Sequence, residues 1–281
     1  MNILKTSMAL LLLSCSATSY AGTIDLFTTF QFAGDDENTL ANTSTTAKSY
    51  TSDFGGSILG VERDFSVNAI SGATDDFVNV GSPAGDGFNV AQGSLGTTMV
   101  ATGGKLNFVN DPGVVGIATV QWDGIDGSSI LDKTGLGGAN VKLDGSTGFL
   151  VTILESDQAF EFQLNVYTDA THFTEVTISS TLVLAGSPLV RFIPFTDLEN
   201  SLLCGGSFGQ IVAVNCGAGG NVDFTSLGAV ELKFNTANVK TAALDLQIAS
   251  ITTEKVPEPS VLMLLSAGLF SAGFMSRKKQ K

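Results

Sequence analysis

The stretch Asp123-Gly124-Ile125-Asp126-Gly127 sets two carboxylates three residues apart between glycines, an oxygen spacing that suggests a calcium ion. It lacks the 12-residue EF-hand pattern and its closing Glu, so two Asp-Gly turns are the better account. Nucleophilic chemistry has little to work with. The only histidine, His172, sits on an expected strand beside Phe173, where a packed or surface ring is a simpler reading than the base of a hydrolytic triad. No Walker, dinucleotide-binding or zinc-protease motif occurs. Paired carboxylates about 5–10 Å apart could serve a glycosidase, but the many acidic residues single out no pair. Cys204 and Cys216, with eleven residues between them and no histidine nearby, fit a structural disulfide better than a zinc or redox pair.

The two ends of the chain decide the compartment in which such groups would work. Met1 to Ala21 has one charge, Lys5, then the apolar run Met8–Leu13, then Ser19-Tyr20-Ala21 with small residues where a signal peptidase reads. Cleavage is expected between Ala21 and Gly22. Leu12-Leu13-Ser14-Cys15 is a competing site and resembles a lipoprotein cleavage signal with Cys15 lipidated. At the other end, Val256-Pro257-Glu258-Pro259-Ser260 precedes an uncharged run from Val261 to Met275, then Arg277, Lys278, Lys279 and Lys281. The prolines separate a folded body from the apolar run. As a helix the run would be about 22 Å long, short of the roughly 20 residues of a comfortable span. The basic cluster after it should stay cytoplasmic.

That order of Pro-Glu-Pro, apolar helix and basic terminus resembles the PEP-CTERM sorting signal of exported proteins of Gram-negative bacteria. The resemblance covers about a tenth of the chain. It implies recognition by an exosortase, a membrane-embedded transpeptidase or protease, with processing near Pro257–Pro259. It also implies a transient stay in the inner membrane through the C-terminal helix. Delivery to the cell surface or medium would come next, in association with extracellular polysaccharide. An ordinary C-terminal anchor is the plainer alternative. Three parts are therefore expected: a signal peptide (1–21), an exported domain (22–255) and a sorting signal (motif 256–260, helix 261–275, basic tail 276–281).

Between the ends, the charge is strongly one-sided. Nine basic residues remain (14 less Lys5 and the four of the C-terminal cluster) against 26 acidic (27 less Glu258), a net charge near −17. Such a surface repels nucleic acid and anionic head groups, and is compatible with divalent cations or neutral sugars. A solvated acidic surface that aids solubility is the plainer explanation. Short alternating segments between glycine turns predict an all-β, antiparallel β-sandwich or jelly roll. They include an opening strand at Thr23–Phe32, others at Val61–Val67, 77–80, 88–92, Thr97–Ala101, Leu106–Val109, Val114–Trp122, Val190–Phe195 and Val230–Phe234, and the clearest at Ala159–Thr168. Arg63 lies between Glu62 and Asp64, where an exposed charge pair would add little. No linker divides the body, and the 19 phenylalanines are expected in the core.

Val190-Arg191-Phe192-Ile193-Pro194-Phe195-Thr196-Asp197-Leu198, with Leu227–Phe234 and Ala243–Ile251, resembles the closing strands of galactose-binding-like jelly rolls. That resemblance implies carbohydrate binding and a structural calcium where first and last strands meet, with Asp25 and Asp245 as the residues to test. The scarcity of Trp and Tyr departs from it, since sugar sites usually use exposed aromatic platforms. Together these features predict an exported, non-enzymatic surface or matrix protein. Its partners would be signal peptidase, an exosortase and extracellular polysaccharide, with no nucleic acid. A polysaccharide-acting hydrolase or lyase on the same scaffold, and an adhesion component with no small ligand, are the alternatives.

Overall fold

A computed structural model of the chain describes residues 22–34, 47–52, 58–71, 96–128, 130–142, 145–235 and 241–255. The expected signal peptide, the sorting signal, and the strands expected at 77–80 and 88–92 lie outside these residues. Among the described residues no helix is long and apolar enough to cross a membrane.

The described strands, in chain order, are β1 (Gly22–Asp25), β2 (Gln31–Gly34), β3 (Ala47–Ser52), β4 (Glu62–Ser71), β5 (Thr97–Thr102), β6 (Lys105–Asn110), β7 (Val115–Trp122), β8 (Gly148–Ser156), β9 (Phe160–Tyr167), β10 (Phe173–Ser180), β11 (Leu189–Pro194), β12 (Ile211–Cys216), β13 (Ala229–Phe234) and β14 (Asp245–Glu254). They form two antiparallel sheets. Sheet I runs β11-β8-β14-β6-β5-β2, with β1 also on β14; sheet II runs β12-β10-β9-β13-β7-β4-β3.

Side-chain alternation turns one face of each sheet inward. From sheet I come Leu106, Phe108, Phe149, Val151 and Ile153; from sheet II come Phe65, Val120, Trp122, Phe162, Leu164 and Phe234, all buried. Phe108 and Phe234 stack across the gap at 6.0 Å between ring centroids. Each such side chain contributes about 1.5–3 kcal/mol relative to exposure. The result is a β-sandwich whose core is built from phenylalanine and branched aliphatics, as the composition implied.

One local reading changes, and two strands join those expected. The expected opening strand is two strands, because Asp25 Oδ1 accepts the Phe27 N–H at 2.7 Å and Phe27 turns to φ 51°. This local bond competes with the ladder and ends β1. The run Gly148–Ser156 is a strand at the heart of sheet I, between β11 and β14. Its mixed apolar sequence hides the period, although Phe149, Val151 and Ile153 alternate inward. Ile211–Cys216 is the edge strand of sheet II, and Cys204 and Cys216 are disulfide-bonded there with Cα atoms 5.6 Å apart.

Candidate functional site

Strand β4 places three charged residues in succession, and alternation sends them to opposite faces of sheet II. Arg63 points inward. Its side chain is fully buried and grips Asp25 through Nη1, at 2.9 Å to Oδ1 and 2.8 Å to Oδ2. Its Nε donates to Gln31 Oε1 and its Nη2 to the Thr29 carbonyl, both at 2.8 Å. The rings of Phe27 and Phe65 lie 5.5 and 5.0 Å from the guanidinium. Trp122 Nε1 donates to Asp25 Oδ2 at 2.9 Å. Burial pushes the Asp25 carboxyl upward, and Arg63, the Phe27 N–H and Trp122 pull it back. Every donor aimed at Asp25 requires it as an acceptor, so this is an ion pair. The exposed charge pair expected of Arg63 is thus replaced by a buried one, with a partner 38 residues away in sequence.

Glu62 and Asp64 point to the outer side of the sheet, and residues 123–128 come down on them. Asp126 N and Gly127 N donate to Glu62 Oε1 at 3.2 and 2.7 Å, and Ser52 Oγ donates to Oε2 at 3.1 Å. Asp132 N donates to Asp123 Oδ2 at 2.7 Å, and Ser128 N to Asp126 Oδ1 at 2.8 Å. Two glycines make the fold of this segment possible: Gly124 holds φ 97°, and a Cβ on Gly135 would run into the Asp123 carbonyl. Carboxylate oxygens of Glu62, Asp64 and Asp126 lie within 4.8 Å of one another. Asp64 and Asp123 are both 0% exposed, yet neither Asp64 oxygen has a hydrogen-bond partner, nor has Asp123 Oδ1. Burial first, then the facing charges of Asp123 and Glu62, push the Asp64 carboxyl far above the carboxylate range. Asp123 is raised less, because the Asp132 N–H offsets part of its burial. Gln121, directly across the ladder from Asp64, also has an unpartnered oxygen.

A second acidic group lines an open groove on the outer face of sheet I. Asn107, Gln247 and Glu155 stand in one register row across β6, β14 and β8. With Asp157 and Asp245 they line a cavity of about 220 Å³. Asp157 Oδ1 accepts the Asp245 N–H at 2.8 Å. Although Asp245 is exposed, partial desolvation by the groove walls, then the charges of Asp157, Asp111 and Glu155, push its carboxyl up to about 6.

The residues singled out for calcium, Asp25 and Asp245, are not brought together. Asp25 pairs with Ile251 on β14, six residues from Asp245, or roughly 20 Å along a strand. Asp123 and Asp126 do meet other carboxylates, but from β4, which sequence spacing did not reveal. Nothing in the string Glu62-Arg63-Asp64 announces the loop that will cover it; only the alternation of β4 separates Arg63 from its neighbours. His172 lies in the turn before β10, with its side chain 45% exposed. Its Nδ1 faces both Asp169, at 2.9 Å, and Thr171 Oγ1, at 3.2 Å. A triad places carboxylate and hydroxyl on different ring nitrogens, so this grouping is a turn and not a relay. The sorting residues, Val256 to Ser260 and Arg277 to Lys281, lie outside the described residues.

No protein-family model and no curated protein sequence matches the chain. Among solved structures it is similar to an agarase, AgWH50C (10% identity, TM-score 0.36), over 57% of this chain and 23% of that one. It is also similar to an exo-beta-agarase (12%, TM-score 0.34; 55% and 20%) and to PfGH50B (12%, TM-score 0.34; 58% and 22%). The chain spans less than a quarter of the length of each.

Proposed function

We propose that the chain is an exported, non-catalytic β-sandwich of jelly-roll type that works at the cell surface or in the extracellular matrix. It is sorted by an exosortase acting on the 256–281 tail, and it associates with extracellular polysaccharide. The observation that carries the binding part is the groove on sheet I. Its amides and carboxylates, held in register by three adjacent strands, are the groups that hydrogen-bond sugar hydroxyls, and a few fixed polar groups suffice to orient a ligand in a shallow cleft. The residues that line the groove include no aromatic ring, so recognition there rests on these polar groups and not on an aromatic platform. The acidic surface favours neutral glycans over anionic ones.

A second reading has its own support. Asp245, raised to about 6 by partial desolvation and by the charges of Asp157, Asp111 and Glu155, is a carboxyl near the protonation state a general acid needs, with other carboxyl groups beside it. That arrangement suits a polysaccharide-acting hydrolase.

Pull-down with the producing strain's extracellular polysaccharide and with a panel of neutral polysaccharides separates the two. Retention weakened by Gln247→Ala, with no release of reducing ends, is the expected outcome. Release of reducing ends that disappears in Asp245→Asn would replace the first reading with the second. For sorting, deletion of residues 256–281 should retain the protein before its final envelope fraction; unchanged delivery would refute the exosortase assignment.

A further inference from the structure

We infer that Glu62, Asp64, Asp123 and Asp126 form a binding site for one hard divalent cation of calcium type, held between β4 and residues 123–128. The site is separate from the groove on sheet I and includes neither Asp25 nor Asp245.

The ligand atoms have the right span. Oxygens of Glu62, Asp64 and Asp126 lie within 4.8 Å of one another. An ion with oxygens at about 2.3–2.6 Å reaches trans ligands about 4.6–5.2 Å apart. The donors are all carboxylate oxygens, with no nitrogen or sulfur, which selects a hard cation over zinc or copper. Access is provided by Asp126, which is exposed, while Glu62 and Asp64 are buried behind it.

The independent observation is the state of the buried carboxylates. An unpaired buried charge is among the costliest features a fold can carry. Asp64 has no exposure and no partner on either oxygen, and Asp123 leaves Oδ1 free in the same place. The nearest guanidinium in sequence, Arg63, is committed to Asp25 on the other face. Among the described residues no lysine, arginine or histidine forms an ion pair with any of the four carboxylates. A proton shared between Asp64 and Asp123 would satisfy one contact and leave Glu62 and Asp126 facing each other with no cation between them. A divalent cation answers all four. The hydrogen bonds present already hold the cluster in place and leave the needed lone pairs free. The backbone N–H groups of Asp126, Gly127, Ser128 and Asp132 fix Glu62 Oε1, Asp126 Oδ1 and Asp123 Oδ2. Both oxygens of Asp64, Asp123 Oδ1, the second oxygen of Asp126 and the remaining lone pair of Glu62 Oε2, which accepts one bond from Ser52 Oγ, are left for the ion. Binding would tie residues 123–128 to β4 and so link the start of the connection after β7 to the sheet it covers.

The test uses the full-length chain purified in detergent, stripped with EDTA, then titrated with calcium chloride through about 10⁻⁵–10⁻³ M, a range in which many calcium sites work. Calorimetry should show saturable binding of one calcium per chain. The melting temperature followed by circular dichroism should rise by about 5–10 °C at a hundredfold excess over Kd. Magnesium chloride should give a smaller rise, since that ion demands a tighter octahedron. Asp64→Asn should abolish the calcium shift. Asp126→Asn, at an exposed position, should lower affinity about tenfold or more. Identical melts in calcium and EDTA, a larger shift with magnesium, or a calcium shift that survives in both variants would overturn the proposal.

Discussion

On the inner side of β4, Arg63 and Asp25 are completely buried, and each is matched by the other and by further hydrogen bonds. On the outer side, one residue away in either direction, Glu62 and Asp64 are almost as buried, and Asp64 has no partner. The same strand carries both, and the same alternation creates both. Inside, five groups converge on one ion pair: Gln31, the Thr29 carbonyl, Trp122, the Phe27 N–H and two aromatic faces taken together. Outside, four carboxylates converge and no cation of the described chain meets them. A fold that solves buried charge so completely on one face indicates that the imbalance on the other has a use. The inner cluster is structural and complete; the outer one calls for a cation that the described residues do not supply.

Four perturbations test this contrast, beginning with the largest effect. Arg63→Met leaves Asp25 buried without its partner and should cost about 3–5 kcal/mol in urea unfolding, with or without calcium. Dependence of that loss on calcium would merge two clusters that are here held to be separate. Replacing both Cys204 and Cys216 with serine should cost about 2–3 kcal/mol by the loop-entropy estimate. It acts at the opposite edge of sheet II from β4, so the calcium shift should persist unchanged. Asp64→Asn should stabilise the EDTA-treated protein by about 1–2 kcal/mol, because it removes a buried carboxylate that has no partner. Asp126→Asn should change the chelated protein by no more than about 0.5 kcal/mol, as expected of an exposed position.

The pH dependence sharpens the third of these. Burial, Asp123 and Glu62 push Asp64 up to about 9, so without metal the folded state binds more protons than the unfolded one above pH ~4. Stability linked to Asp64 is therefore fully present below that pH and is lost as pH rises towards about 9. Asp123 adds to the same slope at lower pH, up to about 6. Saturating calcium should remove or reverse the slope, because the ion requires the ionised carboxylates. Asp64→Asn should flatten it without calcium.

The sandwich is legible because most of its strands carry the period of two in plain form. Phe160, Phe162, Leu164 and Val166 against Glu161, Gln163, Asn165 and Tyr167 is the clearest case. Strand β8 is harder, since Leu150 beside Val151 blurs the two faces, and β1 reads too long because the Asp25 side chain ends it through a local bond. The disulfide is readable from parity and compartment. The acidic cluster is only half readable. Asp123 and Asp126 stand out by spacing, but their partners Glu62 and Asp64 sit some 60 residues earlier and are joined to them only by the pairing of β4 with β7. Arg63 is misplaced for the same reason: sequence neighbours suggest Glu62 and Asp64, while a strand's alternation carries it to the opposite face.

Terbium luminescence tests the outer cluster most directly. The chain has a single tryptophan, Trp122, adjacent in sequence to Asp123, and a terbium ion bound where calcium is proposed would be sensitised by that indole. Saturable emission on indole excitation is expected, displaced by calcium chloride, absent in Asp64→Asn and retained in Asp157→Asn. Absence of sensitised emission, or emission that Asp64→Asn leaves intact, would contradict it.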